Sequence, residues 1–274
     1  MTATIAARPQ LPSTAARRML PLVLAGALIL TAIAYPLSSG PARDTVSWTI
    51  VLLGALLSVV HAGLSRGARV GAGLLVLVTL TAIAFEAVGL ATGVPYGSYS
   101  YDEALGPTLL GVPFLVPLAW LMMAWPSRLL ADRLTRGVRP GRRAAARVGA
   151  AAVVFAGWDV VLDPQMVQAG YWTWAHPRPG LPGIPTVPLT NLAGWLLAGL
   201  VLMALLEVLV ARAALPGGPR IGNAAPLLAL AWMTLGGALA HAGWLGLPGS
   251  AAWGVALAVP VLLVLLVQRR RVRR

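Results

Sequence analysis

The sequence contains no cysteine. That excludes disulfides, thiolate metal sites and cysteine nucleophiles, and leaves the redox compartment unread. Lysine is missing too, so all 21 basic residues are arginine. Acids number only eight and histidines three. His61, His176 and His241 are far apart and show no metal-ligand spacing. No glycine-rich phosphate loop, nucleophile elbow or HExxH stretch occurs, and no redox-cofactor motif is visible. Neither a metal nor a cofactor is expected. Charged residues make up 11% of the chain, against about a quarter in soluble domains. A soluble fold is therefore excluded.

What fills the chain instead is apolar: 58% of its 274 residues are hydrophobic. Eight runs are long enough to span a bilayer as helices, near 19–38, 46–64, 70–91, 108–125, 145–163, 189–211, 225–245 and 249–267; a span needs roughly 17–25 residues. The arginines separate these runs and do not pave one face, which excludes nucleic acid as a partner. They also orient the bundle. With the N-terminus in the cytoplasm, only Arg43 and Arg178 fall outside and the other 19 of 21 lie inside, as the positive-inside rule requires. The first run, behind Arg17 and Arg18, is read as an uncleaved first helix because seven more follow. The expectation is an all-α polytopic membrane bundle of about eight transmembrane helices. It forms one domain over 1–274, with a cytoplasmic tail at 1–18, a basic cytoplasmic tail at 268–274 and both termini cytoplasmic. The cell membrane is its expected location.

Two outward connections stand out. TGVPYGSYSYDEALGPTLLGVP (92–113) and DPQMVQAGYWTWAHPRPGLPGIPTVPLTN (163–191) are dense in Gly, Pro, Tyr and Trp. Gly and Pro set rigid turns, and Tyr and Trp favour the membrane interface, so an aromatic belt with ordered re-entrant turns accounts for most of this composition. It does not account for the acids. Glu86 in the outer half of the third run, Asp102 and Glu103 beyond it, and Asp159 and Asp163 in WDVVLDP place five of the eight acids at one end of the bundle.

An ionisable group within a span costs about 2.5 kcal/mol or more at its centre and marks a functional site by default. Desolvation favours the neutral carboxyl, which makes such a group a proton donor. Asp159 and Asp163, at i and i+4, share one helical face, and two carboxyls that close share a proton, one acting as acid and one as base. Each residue also has a structural reading. Asp163 precedes Pro164, where helices tend to end. Asp159 has Arg178 or a tyrosine as a partner, and Glu86 has a neighbouring helix. Asp102 and Glu103 read as solvated loop residues, Glu207 as a structural acid near the cytoplasmic end, and His176 as an interface residue within reach of the cluster.

The stretches GVPYGSYSYDEALGPTLLGVPFLVPLAW (93–120) and AGWDVVLDPQMVQAGYWTW…VPLTNLAGW (156–195) resemble the carotenoid biosynthesis membrane family that includes carotenoid 1',2'-hydratases. Those enzymes act on γ-carotene or on the acyclic precursor of bacterioruberin. The likeness covers roughly residues 70–200, and the Asp102–Glu103 pair departs from the family pattern. The resemblance implies a cofactor-independent hydro-lyase that hydrates the terminal C1=C2 double bond of a ψ-end-group carotenoid. Protonation at C2 leaves a tertiary cation at C1 that water captures, which needs an acid, a base and a positioned water. Asp159 and Asp163 are the expected acid–base pair, with Glu86 the alternative donor or water-positioning group. Tyr99, Tyr101, Trp158, Trp172 and Trp174 are the candidates for stabilising the cation through their ring faces, and Asn191 for orienting the water. The expected partners are a carotenoid within the bilayer, membrane lipid and other carotenoid enzymes.

Three rivals stand beside this reading. A prenyltransferase would use the DxxxD form of Asp159 and Asp163, but the second acidic motif is missing and the site faces the wrong side. A carotenoid cyclase would share the protonation step and differ only in how the cation is captured. A carotenoid or lipid carrier would use the cluster for binding alone.

Overall fold

The structure, a computed structural model, describes residues 14–213 and 221–272. Most of the expected N-terminal tail, the end of the basic tail and four of the inner arginines, Arg8, Arg220, Arg273 and Arg274, lie outside these residues. Every apolar run contains a helix: α1 (Thr14–Ala34), α2 (Gly40–Arg66), α3 (Ala68–Thr92), α4 (Leu115–Leu134), α5 (Pro140–Ala169), α6 (Leu189–Ala211), α7 (Ala224–Ala231) continuing into α8 (Gly237–Gly243), and α9 (Pro248–Val272). The fourth, expected at 108–125, is displaced: the left-handed backbone at Leu110 and Gly111 turns 108–113 into a hairpin, and the helix starts at Leu115 and continues to Leu134. Seven of these segments are long and apolar enough to cross a membrane, α7 and α8 counting together as one. This is an all-α multi-pass membrane protein.

The remaining helix, α4, is the hub of the bundle, packing on α2, α3, α5, α7 and α9. Fifteen of its 20 residues are buried, including Ser127 and Arg128. A helix wrapped by protein on all sides need not satisfy lipid, so its charges are tolerated where those of a lipid-facing helix would not be. Around it, small residues set close approaches: a Cβ on Gly199 of α6 would stand 3.3 Å from Ala152 of α5, a spacing that favours van der Waals packing between apolar helices. The lipid side is the reverse, with Leu30, Leu80, Leu200 and Leu263 exposed.

Two further expectations need correction. Pro164 does not end the fifth helix, which runs on to Ala169. Proline is tolerated inside membrane helices because neighbouring groups re-satisfy the freed carbonyl. The outer connections are also more than turns. Gly93 and Gly170, both in the left-handed region (φ 73° and 83°), stop α3 and α5, as C-terminal glycines do, and launch two strands. β1 (Tyr99–Tyr101) and β4 (Trp172–Trp174) pair antiparallel with Tyr99 opposite Trp174 and Tyr101 opposite Trp172. Between them, β2 (Thr108–Leu109) and β3 (Val112–Pro113) form a short hairpin. The β1–β4 ribbon roofs the outer end of the bundle.

Candidate active site

Beneath that roof lies a cavity of about 360 Å³ in the outer half of the bundle. Its walls carry eight of the nine residues expected to act in the reaction: Glu86, Tyr99, Tyr101, Trp158, Asp163, Trp172, Trp174 and Asn191, while Asp159 lies behind them and does not line it. Helical period explains the convergence from α5 and α6. Trp158, Val161, Leu162, Gln165 and Met166 face the cavity from α5, and Asn191 and Trp195, four apart, face it from α6. Strand period does the same on the roof, where alternate residues Tyr99, Tyr101, Trp172 and Trp174 point inward.

The acids are deeply buried: Glu86 is 3% exposed, Asp159 1% and Asp163 3%. Each is met by donors. Asn191 Nδ2 donates to Asp159 Oδ2 at 3.0 Å and to Asp163 Oδ2 at 2.5 Å, so one amide bridges the pair. Trp172 Nε1 donates to Asp163 Oδ1 at 3.1 Å. Across the cavity, Tyr99 and Tyr101 hydroxyls donate to Glu86 Oε2 at 2.5 and 2.8 Å. Burial first, and then the Glu86 carboxyl beside them, hold both phenols well above the usual tyrosine range, so they remain donors. Asp159 Oδ1 is buried and has no hydrogen-bond partner among the described residues. Asp159 borders a second, smaller cavity of about 20 Å³, whose wall also carries Asp163 and Asn191 and is otherwise apolar, with Ile184, Val187 and Pro188 among its residues. That volume suits one water, since a single probe sphere of roughly 10–15 Å³ is enough. Asp163 and Asn191 border both cavities and Asp159 only the smaller one, so Asp163 and Asn191 form the partition between the apolar chamber and a water-sized space where three polar side chains meet an otherwise apolar wall.

Other expected residues lie elsewhere. Asp102 and Glu103 are exposed, and Asp102 accepts from Ala104 N at 2.9 Å as a turn cap. His176 is exposed and does not line the cavity. Arg178 is exposed and makes no contact with Asp159, whose partner is Asn191. Glu207 binds Arg128 at 3.1 Å and also Arg147 at the inner end.

Sequence reasoning missed several lining groups. Trp195 packs at a tilt against Trp120 and Phe155, with ring centroids 5.0 and 5.2 Å away; its i+4 spacing from Asn191 was a usable signal. Tyr96 sits in the quoted GVPYG motif and is 2% exposed, wedged against glycines of two helices. Gln165 carried no signal: its Oε1 accepts from buried His241 at 2.8 Å, and His241 in turn contacts Ser250. Its role depends on α8 and α9, which only the fold brings to α5.

Residues 46–262 match the family described as "Carotenoid biosynthesis protein". The chain belongs to that family. It is also 37% identical over 142 residues to a bisanhydrobacterioruberin hydratase of Haloarcula japonica, a match covering 52% of this chain and 46% of that relative. The chain thus matches less than half of that relative's length. No solved structure matches.

Proposed function

We propose that this carotenoid biosynthesis protein is a hydratase that adds water across the terminal C1=C2 double bond of a ψ-end-group carotenoid, in the cell membrane and without a cofactor. The observation that carries this reading is the partition: two carboxyls bridged by one amide, with a chamber fit for an apolar end group on one side and room for a water on the other.

One carboxyl of the pair begins protonated and the other ionised. The acid gives its proton to C2; the alkene π pair forms the new C–H bond and leaves the cation at C1. Water bonds to C1 through an oxygen lone pair, and the proton it sheds passes to the ionised partner. Transfer across the pair restores the starting state. Asp163, which borders both cavities, is assigned the donor role, and Asp159, which borders the smaller cavity alone, the base. Glu86 and the faces of Trp158, Trp172, Trp174, Tyr99 and Tyr101 surround the position of the cation, where ring quadrupoles and a fixed carboxyl act electrostatically. Asn191 holds both carboxyls in register. A cyclase would protonate the same alkene but needs no water beside the acids, and a water-sized space bordered by Asp159, Asp163 and Asn191 favours hydration.

The test is expression in bacteria that accumulate lycopene or γ-carotene, with pigments resolved by chromatography and mass spectrometry. A more polar pigment heavier by one water, absent with Asp159→Asn or Asp163→Asn, supports the hydratase. An isomer of unchanged mass with a shortened chromophore indicates cyclisation. A pigment content unaffected by either variant returns the carrier reading.

A further inference from the structure

The large cavity is not sealed, and its opening faces sideways. Its outer end is closed by the β1–β4 ribbon, which is fastened twice. Trp174 Nε1 donates to Tyr96 O at 3.1 Å. The Tyr171 hydroxyl donates to Asp44 Oδ1 of α2 at 2.5 Å, while Tyr171 O accepts from Asp102 N at 2.8 Å. The wall between α1 and the seventh span is different. In the inner half, α1 packs on α7. The seventh span then loosens into a π-helical segment, Trp232–Gly236, and its outer part, α8, packs on α9 and α5 instead. A wider turn of this kind is a recurrent feature of functional sites in helices.

Cavity-lining residues from the two edges of this gap are exposed on the outside of the bundle. From the end of α1 these are Ile33 (45%) and Leu37 (69%), and from the far edge Leu239 (61%) and Trp244 (59%). Side chains that line the chamber and also face the bilayer are those of a mouth. Every one of them is apolar, which suits lipid and repels an aqueous solute.

We infer that this gap is a lateral portal from the bilayer, and that the substrate is a long, linear polyene inserted end-first, its reacting end at the acid pair and its remaining length lying between α1 and α8 in the lipid. The identity of the occupant rests on the proposed function, whereas the portal does not. A chamber of about 360 Å³ lies near the lower limit for sites that enclose a whole drug-sized ligand, about 300–1,000 Å³. It therefore takes the end of a carotenoid and leaves the chain outside.

The absence of cysteine makes a direct test available. Ala119, half-buried and lining the chamber from α4, is replaced in Ala119→Cys, and the protein is reconstituted into phosphatidylcholine–phosphatidylglycerol vesicles. N-dodecylmaleimide, which partitions into lipid, is expected to label this thiol at least tenfold faster than a sulfonated, membrane-impermeant maleimide. Adding Ile33→Phe and Leu239→Trp narrows the mouth and is expected to slow dodecylmaleimide at least fivefold. Leu205→Cys, on the lipid face of α6, reports the folded state and keeps its rate in the same background; if that pair perturbs it, Ile33→Trp alone replaces the pair. Equal labelling by the charged reagent, or a narrowed mouth that leaves the rate unchanged, overturns the portal. Lycopene in the vesicles is expected to slow labelling of the Ala119→Cys thiol at least threefold; an unchanged rate overturns the polyene occupant. These readouts are labelling rates, so a wild-type chain that never hydrates a carotenoid would refute the proposed reaction and leave them standing.

Discussion

At the scale of single residues, the site is an economy of carboxyls. Each buried acid is met by a donor aimed at it, and each donor is itself buried or part of the roof. Asn191 is the sharpest case, because one amide nitrogen serves both members of the pair. Hydrogen bonds to charged groups contribute about 1.5–3 kcal/mol, and tenfold in rate corresponds to about 1.4 kcal/mol. Asn191→Ala is therefore expected to lower hydration by roughly 10- to 100-fold, measured as product formed per membrane-inserted protein. The Glu86 cluster makes a different prediction. Tyr99→Phe and Tyr101→Phe each remove one donor to the same oxygen, and each should slow turnover roughly tenfold. In a Glu86→Gln background the same changes should add little, because residues within one hydrogen-bond network are not additive. Full additivity would show that the phenols act on the substrate and not through Glu86. These acids were legible from the sequence because an apolar chain has so few of them. The donors were less so: Trp172 and Tyr99 were read as cation-facing rings, and their hydrogen bonds depend on a strand pairing that periodicity alone does not reveal.

At the scale of elements, the roof is as much a part of the site as the helices. It is seated by Tyr96, which fills the space between α3 and α6 where both helices carry glycine. A Cβ on Gly194 would come within 2.5 Å of the Tyr96 ring, and one on Gly89 within 2.8 Å of it and 3.0 Å of the Tyr99 hydroxyl. Overpacking of this kind costs about 1–3 kcal/mol. Gly194→Ala should lower the melting temperature and also reduce activity, while Gly26→Ala, where nothing stands within 4 Å, should change neither. The Tyr171 latch gives a pH dependence. Burial, with the bond to Asp44 second, pushes the Tyr171 hydroxyl up from 10.0 to about 12. A pKa raised on folding means that the contribution is complete below the unfolded value and is lost as pH rises through the folded one. Closure of the roof should therefore hold up to about pH 10 and fail between about 10 and 12, followed by hydrogen exchange of the 99–101 strand. Tyr171→Phe should remove that transition. The eight helices were readable because bilayer thickness fixes their length and composition. The ribbon was not, since three-residue strands carry too few alternations to stand out from turn-rich sequence, and Pro164 inside α5 misled because proline marks helix ends only where water is the alternative partner.

At the scale of the whole molecule, the bundle is divided into two working ends. The outer end holds the chamber and the acids; the inner end holds the arginines and a clamp joining three helices. Arg128 of α4 and Arg147 of α5 both reach Glu207 of α6, and Arg147 also binds Asp132 at 2.9 Å. The clamp explains how α4 carries a charge at the centre of an apolar bundle: Arg128 is 4% exposed and has its carboxylate in place. It also fixes the inner ends of α4, α5 and α6, the last two of which present Asp159, Asp163 and Asn191 at their outer ends. Breaking a buried pair by removing one partner costs about 3–5 kcal/mol, whereas replacing both with apolar residues is often neutral. Glu207→Leu leaves Arg147 its bond to Asp132 but leaves Arg128 alone. It should lower the apparent melting temperature of the detergent-solubilised protein by roughly 6–20 °C, at about 2–4 °C per kcal/mol for a chain of this size. Arg128→Leu with Glu207→Leu should recover most of that loss, and both variants should keep the acid pair's chemistry once folded. A double variant as unstable as the single one would show that Glu207 acts through Arg147, making the α5–α6 contact and not the buried α4 charge the element that holds the inner end together.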